Sequence, residues 1–343
     1  MKQFILYSWI VVLMVVLVGC SRDEAGAVDS AQSPIEFTTD GPALFITRSV
    51  IENNSQLQSA GFGVLAYMKG TNGATQCYDG GNNWNEGAPN FMYNQQVTWN
   101  NTNSNWTYSP VKYWPNDNNS ADGSGATGSQ DHSYVSFFAY APYCATPDPN
   151  AASGITALSL NNVTTAPTIS YKWAADADLL YDAKTDCYKT GAAGYGNVSG
   201  AVQFNFKHAL AQVKFKVRRS SDFGMAVTLK SLSISGFSTS GTFNLGVKTP
   251  SWSSPSGSGS LPLRSTDLSI TAITESAAHD LGGSLLIPGS SLTYSISYTI
   301  GGANYSHTAT PISSLQAGYQ YTIIFTIDND GVIVDMTKYT EQW

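Results

Sequence analysis

Leu292-Thr-Tyr-Ser-Ile-Ser-Tyr-Thr-Ile300 alternates between apolar and polar side chains without a break. Successive side chains of a strand point to opposite faces, so Leu292, Tyr294, Ile296, Tyr298 and Ile300 share a buried face. Thr293, Ser295, Ser297 and Thr299 face water. The same period recurs in Tyr319, Tyr321, Ile323, Phe325 and Ile327. It recurs again in Val213, Phe215 and Val217, with Lys214, Lys216 and Arg218 turned outward. Runs at 62–68, 134–141, 201–206, 227–234 and 285–287 read as further strands. No stretch has the capped 3.6-residue period of a long amphipathic helix. The expected fold class is all-β.

Composition agrees. Of 343 residues only 12% are charged and 12% are aromatic, which suits pleated sheets with polar outer faces rather than disorder. The net charge of −7 argues against nucleic acid, whose phosphates need clustered Lys and Arg. Two stretches interrupt the strands. Residues 82–130, rich in Asn, Gly and Trp, read mostly as surface loops. Residues 246–262 (GVKTPSWSSPSGSGSLP) are dense in Ser, Gly and Pro and read as a linker. The expectation is two tandem β-sandwich domains, a larger one over 49–248 and a smaller one over 249–343.

The first residues bear on destination. Lys2 precedes an apolar run from Phe4 to Val18 that ends in Leu17-Val18-Gly19-Cys20. The run is short for a spanning helix, which needs about 20 residues, and suits a signal peptide over 1–19. Small residues before a cysteine are what a lipoprotein signal peptidase requires. Cys20 is therefore the expected lipidation site, carrying palmitate-type chains into an outer membrane. Cys77, Cys144 and Cys187 match no metal spacing, and read as one disulfide plus one buried thiol or as three buried thiols.

Motifs that would carry chemistry are weak. Residues 123–128 (GSGATG) fit GxGxxG but lack the strand and helix that cradle a phosphate. Residues 117–128 begin like a calcium loop, yet the glycine comes one place late and Gly128 supplies no carboxylate. His132, His208, His279 and His307 form no metal pair, and Asp176 and Asp178 read as turn residues before a strand. No catalytic residue, metal or cofactor is expected, and the chain does not read as an enzyme. Trp84, Trp99, Trp106 and Trp114 lie among Asn-rich loops, where they would stack on sugars or plug the end of a sandwich. Trp84 and Trp106 are the candidate glycan contacts.

Several segments together resemble the fimbrillin-like proteins of Bacteroides and Porphyromonas relatives, which build type V pili. They are Trp106-Thr-Tyr-Ser-Pro-Val-Lys-Tyr-Trp-Pro115, Val135-Ser-Phe-Phe-Ala-Tyr-Ala-Pro142, Asp178-Leu-Leu-Tyr181 and Phe206-Lys-His-Ala-Leu-Ala-Gln-Val-Lys-Phe215. Gly241-Thr-Phe-Asn-Leu245 before Trp252, and Ala317-Gly-Tyr-Gln-Tyr321, complete the set. The resemblance implies two β-sandwich domains of the fimbrillin type, export as a surface lipoprotein and life in a fimbrium. It also implies a cut by a trypsin-like protease after an arginine near the N-terminus. The matching position is Arg48, before Ser49, in Ala43-Leu-Phe-Ile-Thr-Arg-Ser49. Residues 20–48, with a removable first strand holding Leu44 and Ile46, would leave; a strand of another fimbrial subunit would fill the groove. Val332, Val334 and Met336 alternate near the C-terminus and are the candidate donor, the alternative being that they form the last strand of their own domain. A different reading is a monomeric surface lipoprotein that binds host or bacterial glycans through its loop tryptophans.

Overall fold

The computed structural model describes residues 33–40, 51, 53–68, 91–115, 134–159, 167–175, 177–189, 198–222, 224–245, 250–289, 291–312 and 315–339. Within them the elements run in chain order as follows. The first are β1 (Phe37–Asp40), the short helix α1 (Asn54–Ala60), β2 (Phe62–Met68), β3 (Met92–Asn100), β4 (Asn105–Thr107) and β5 (Val135–Ala141). Then come β6 (Gly154–Ser159), β7 (Thr168–Lys172), β8 (Leu180–Cys187), β9 (Val202–Asn205), β10 (Lys207–His208) and β11 (Ala211–Arg219). Next are β12 (Val227–Ser235), β13 (Ser240–Asn244), β14 (Ser251–Ser256), β15 (Ser260–Arg264) and β16 (Leu268–Ile270). The last are β17 (His279–Leu286), β18 (Leu292–Ile300), β19 (Ala303–Ile312), β20 (Gln320–Asp328) and β21 (Gly331–Lys338). The protein is all-β in its described residues, with α1 the one exception.

One core lies between the sheets β17-β11-β20-β21 and β15-β12-β18-β19. Leu292, Tyr294, Ile296, Tyr298 and Ile300 all point into it, as their alternation predicts, and meet Val213, Phe215, Val217, Ile323 and Phe325. A six-stranded sheet, β10-β8-β5-β2-β3-β4, has a core on each face, one toward the pair β1-β9 and one toward the sheet β14-β13-β7-β6. On one side β2 and β5 send Phe62, Val64, Phe137 and Ala139 toward β1 and β9. On the other they send Leu65, Tyr67, Phe138 and Tyr140 toward β6, β7 and β13. Burial on both faces explains why β2 and β5 read as continuous apolar runs rather than alternating ones.

Chain order and core membership do not coincide. β11 and β12 lie in the sandwich completed by β17 to β21, but β13 and β14 return to pair with β7 and each other. The expected boundary at 248/249 thus falls between two paired strands. The 246–262 stretch, read as a linker, holds β14 and the start of β15. Its serines and prolines sit on sheet edges, where the strands need little apolar burial. Trp173 packs against both cores and its Nε1 donates to the Leu285 carbonyl at 2.6 Å, while Trp252 Nε1 donates to the Ala209 carbonyl at 2.6 Å within the core under β6, β7 and β13. β3 and β4 also fall in a region read as loop. Of β3 only Met92 and Val97 are buried, so it carries almost no apolar signal and is held by its ladder with β2.

Gly63 of β2 faces Tyr140 of β5, and a Cβ there would come within 2.4 Å of the ring. The ring cannot retreat cheaply, because the Tyr140 hydroxyl lies 2.6 Å from Asn94 Oδ1 and 3.2 Å from the Cys144 carbonyl. Burial also pushes that phenol well above its ordinary range. Gly63→Ala should therefore lose about 1–3 kcal/mol, the cost of overpacking, in a denaturant titration. An unchanged midpoint would mean that the ring has room. Cys144 and Cys187 are free thiols, so these two do not pair, and Cys77 lies outside the described residues. Burial pushes the Cys187 thiol up to about 12. At pH 8 about one molecule in ten thousand then carries the reactive thiolate. Iodoacetamide should leave Cys187 intact in the native protein, and rapid alkylation would contradict that environment.

Candidate strand-accepting groove

Ser33-Pro-Ile-Glu-Phe-Thr-Thr-Asp40 lies extended in a slot between two backbone rims. Along its first half it bonds to residues 112–114: Ile35 N–H donates to the Lys112 carbonyl at 2.8 Å, and Trp114 N–H to the Ser33 carbonyl at 3.0 Å. Along its second half it changes partner. Val202 N–H donates to the Glu36 carbonyl at 2.8 Å, and β1 then runs parallel to β9 from Phe37 opposite Val202 to Asp40 opposite Asn205. The Tyr108 hydroxyl donates to the Ile35 carbonyl at 2.8 Å, and Trp106 Nε1 to Thr39 Oγ1 at 3.1 Å.

Two knobs hold the segment in. Ile35 is 1% exposed and Phe37 5%. The Phe37 ring lies 5.4 Å from Tyr108, 5.5 Å from Phe204 and 5.8 Å from Phe137. Pro34, Glu36 and Thr38 face solvent, so the period of two holds. Burying two large side chains stabilises the docked segment by about 3–6 kcal/mol. Removing it would open both rims beside an aromatic floor of Phe62, Trp106, Phe137 and Phe204.

The chain past the slot is secured separately. Ile51 N–H points to Asp178 Oδ2 at 3.3 Å, and Leu179 N–H donates to Asp178 Oδ1 at 2.8 Å. His208 Nδ1 lies 3.0 Å from Asp178 Oδ2 in the same buried cluster. Asp178 and His208 therefore serve as anchors of buried backbone, whereas Asp176 lies outside the described residues. Asn53 caps α1 by accepting from Gln56 N–H at 3.0 Å, and Leu57 plugs the same core as Phe37.

Other expected residues fall variously. Cys20, Arg48, Ser49, Trp84, His132 and the two loop motifs at 117–128 lie outside the described residues, as does the expected strand at Leu44 and Ile46. The strand the structure places before Arg48 is β1. Trp106, expected to meet sugars, is 7% exposed and packs on Phe62 at 4.8 Å beneath β1, so it is floor rather than surface. Val332, Val334 and Met336 lie on β21, paired antiparallel to β20 opposite Ile327, Phe325 and Ile323. Val332 and Val334 are half-buried there, while Met336 is 42% exposed. Sequence reasoning missed Ile35 and Phe37, whose short alternation was the available signal. Among the described residues no group of three His, Cys, Asp or Glu side chains is placed to hold a metal.

Residues 128–343 match the family model described as fimbrillin-like. Fimbrium subunit Fim1C of Phocaeicola vulgatus is 32% identical over 221 residues, 61% of this chain and 50% of that protein. The chain thus spans about half the length of the curated relative it matches. A crystal structure of a fimbrial protein from Bacteroides vulgatus aligns over 90% of this chain and 99% of that one. Its TM-score of 0.60 at 22% identity shows a shared fold.

Phe37→Ala should cost the docked segment about 3–5 kcal/mol. Amide exchange over 33–40 should then quicken at least about a hundredfold, while the strands packed around Phe325 keep their protection. Unaltered exchange at 33–40 would show that the ring is not what holds the segment.

Proposed function

The chain belongs to the fimbrillin-like family, and from that membership we propose that it is a cell-surface fimbrial subunit or pilus-associated adhesin assembling by protease-triggered strand exchange. The observation that carries this reading is the position of β1. Ile35 and Phe37, the knobs of the slot, precede Arg48, while the Asp178 anchor and α1 follow it. A cut after Arg48 severs the covalent link between the inserted segment and the core without touching what holds the core. An extended segment of another subunit then meets open N–H and C=O groups beside apolar pockets, the conditions for strand addition.

A donor is available in β21. Val332, Val334 and Met336 share one face and are incompletely buried at the edge of their own sheet. Moving such an alternating segment into a slot that covers its side chains almost wholly, as Ile35 and Phe37 are covered, gains apolar burial. That gain is set against the ladder with β20 and the contacts of Val332 and Val334 that the donor gives up.

Lipid at Cys20 fits the same scheme. Each methylene buried in an outer membrane contributes about 0.8 kcal/mol, so an acylated Cys20 holds the uncut subunit at the surface. Cleavage after Arg48 would release the subunit from its lipid and open its slot in one step. The glycan-binding alternative is weakened where Trp106 is concerned, since that ring lies under β1.

The test is digestion of the purified chain with a trypsin-like protease, followed by N-terminal mapping and size-exclusion chromatography. A new terminus at Ser49, loss of residues 33–40 and growth of higher oligomers are expected. Arg48→Ala should stay uncut at that position and solitary. A chain cut after Arg48 that keeps its β1 segment and remains monomeric at high concentration would overturn strand exchange.

A further inference from the structure

The outer face of the β17-β11-β20-β21 sheet carries a cleft of about 990 Å³, near the upper end of the roughly 300–1,000 Å³ of small-molecule sites. Its cause lies in β17. The pairing of β11 with β17 shifts register between Lys214 and Lys216, and Gly283 stands opposite Lys214. A side chain at Gly283 would meet the Val213 carbonyl at 2.6 Å, and Gly282 has φ +90°. At Gly282 and Gly283 the cleft is therefore lined by bare backbone. Glycine inside a strand often marks a place where a ligand comes close to the backbone.

The walls are polar and carry positive charge. Lys214 and Lys216 project from the same face of β11, about 7 Å apart by strand geometry. None of the ion pairs among the described residues uses either of them. By contrast Arg218, two residues on, is tied to Thr326 and Asp335. Asp280 stands opposite Lys216 in register and lines the far end. Tyr339 closes the other side with its ring 48% exposed, its N–H donating to the Gln320 carbonyl at 3.0 Å and its hydroxyl 3.3 Å from Thr322 Oγ1. Among the described residues neither ammonium forms an ion pair, and with Asp280 opposite Lys216 the two lysines still leave the cleft a net positive charge in a chain of net charge −7, which favours an anion there. A carboxylate acceptor and a part-exposed aromatic ring add a partner for hydroxyl groups and a flat apolar face.

We propose that this cleft binds an acidic saccharide, with a sugar carboxylate bridging Lys214 and Lys216, ring hydroxyls donating to Asp280, and one sugar face laid on Tyr339. The site is assembled in the uncut monomer, so the inference does not rest on strand exchange.

The experiment is calorimetric titration of the full, uncut chain with tetragalacturonate, with maltotetraose and a tetraglutamate peptide as controls. Saturable binding of tetragalacturonate is expected, with maltotetraose and tetraglutamate each weaker by about tenfold or more. Lys216→Gln and Tyr339→Ala should each weaken tetragalacturonate binding by about tenfold, with the unfolding midpoint of Lys216→Gln unchanged because its side chain supports no core. Absence of binding, equal binding of maltotetraose, equal binding of tetraglutamate, or full binding by Lys216→Gln would overturn the proposal. Cleavage after Arg48 and oligomer growth are scored separately on the same variants, so a failure of this site is distinguishable from a failure of strand exchange.

Discussion

A slot between two backbone rims that must be filled is the constraint around which the first half of this molecule is organised. Residues 112–114 and 202–205 each need hydrogen-bond partners on the side facing the other, and Phe62, Phe137 and Phe204 lie beneath the gap. Buried backbone groups left unpaired cost about 1–3 kcal/mol each, so something extended must occupy the slot. Ser33–Asp40 does so by changing partner midway, antiparallel in its bridge at Pro34 and parallel from Phe37 onward. Its specificity for the position is small: two apolar residues, two apart, and a backbone free to bond on both sides. Many alternating segments meet that description, including one near the end of this chain.

That low specificity matters because the remainder of the protein does not depend on β1 for its connection. The chain after β1 is tied in through Ile51, Asp178 and α1, and the fully buried residues of the second core begin at Ala211, with Trp173 packed against them. The two parts are further interlocked by strands that cross between them, with β13 and β14 leaving the second sandwich and β15 returning to it. Trp173 packs against both cores while its N–H bonds to Leu285. Relative sliding would break that bond and expose the Trp173 indole, so the junction resists shear.

Much of this architecture was legible in the chain. The alternating runs around Leu292, Tyr321 and Val213 appear as β18, β20 and β11, with the expected residues inward. β2 and β5 were visible as apolar runs, though their burial on two faces was not. Legibility failed where burial was slight. Tyr93, Asn94, Gln95 and Gln96 make most of β3 polar, and Ser251 to Ser256 of β14 are exposed or half-exposed, so neither has a period to detect. The slot was harder still. Leu44, Phe45 and Ile46 are a denser apolar run than Ile35 and Phe37, and that local density outweighs the shorter alternation at 35–37 when only the sequence is read.

Sequence alone determined that this is an all-β chain with alternating faces, few charges and an apolar run that ends at Cys20, because those properties are local: a period of two or an apolar run is complete within ten to twenty residues. Only the tertiary structure decided that Ser33–Asp40 is the inserted segment, that Trp106 is its floor, and that β11 belongs with β20. Those facts rest on partners more than sixty residues apart in the chain, and such contacts are selected by mutual shape and by the demand that buried N–H and C=O groups be paired. No local pattern encodes which distant rim a strand will meet.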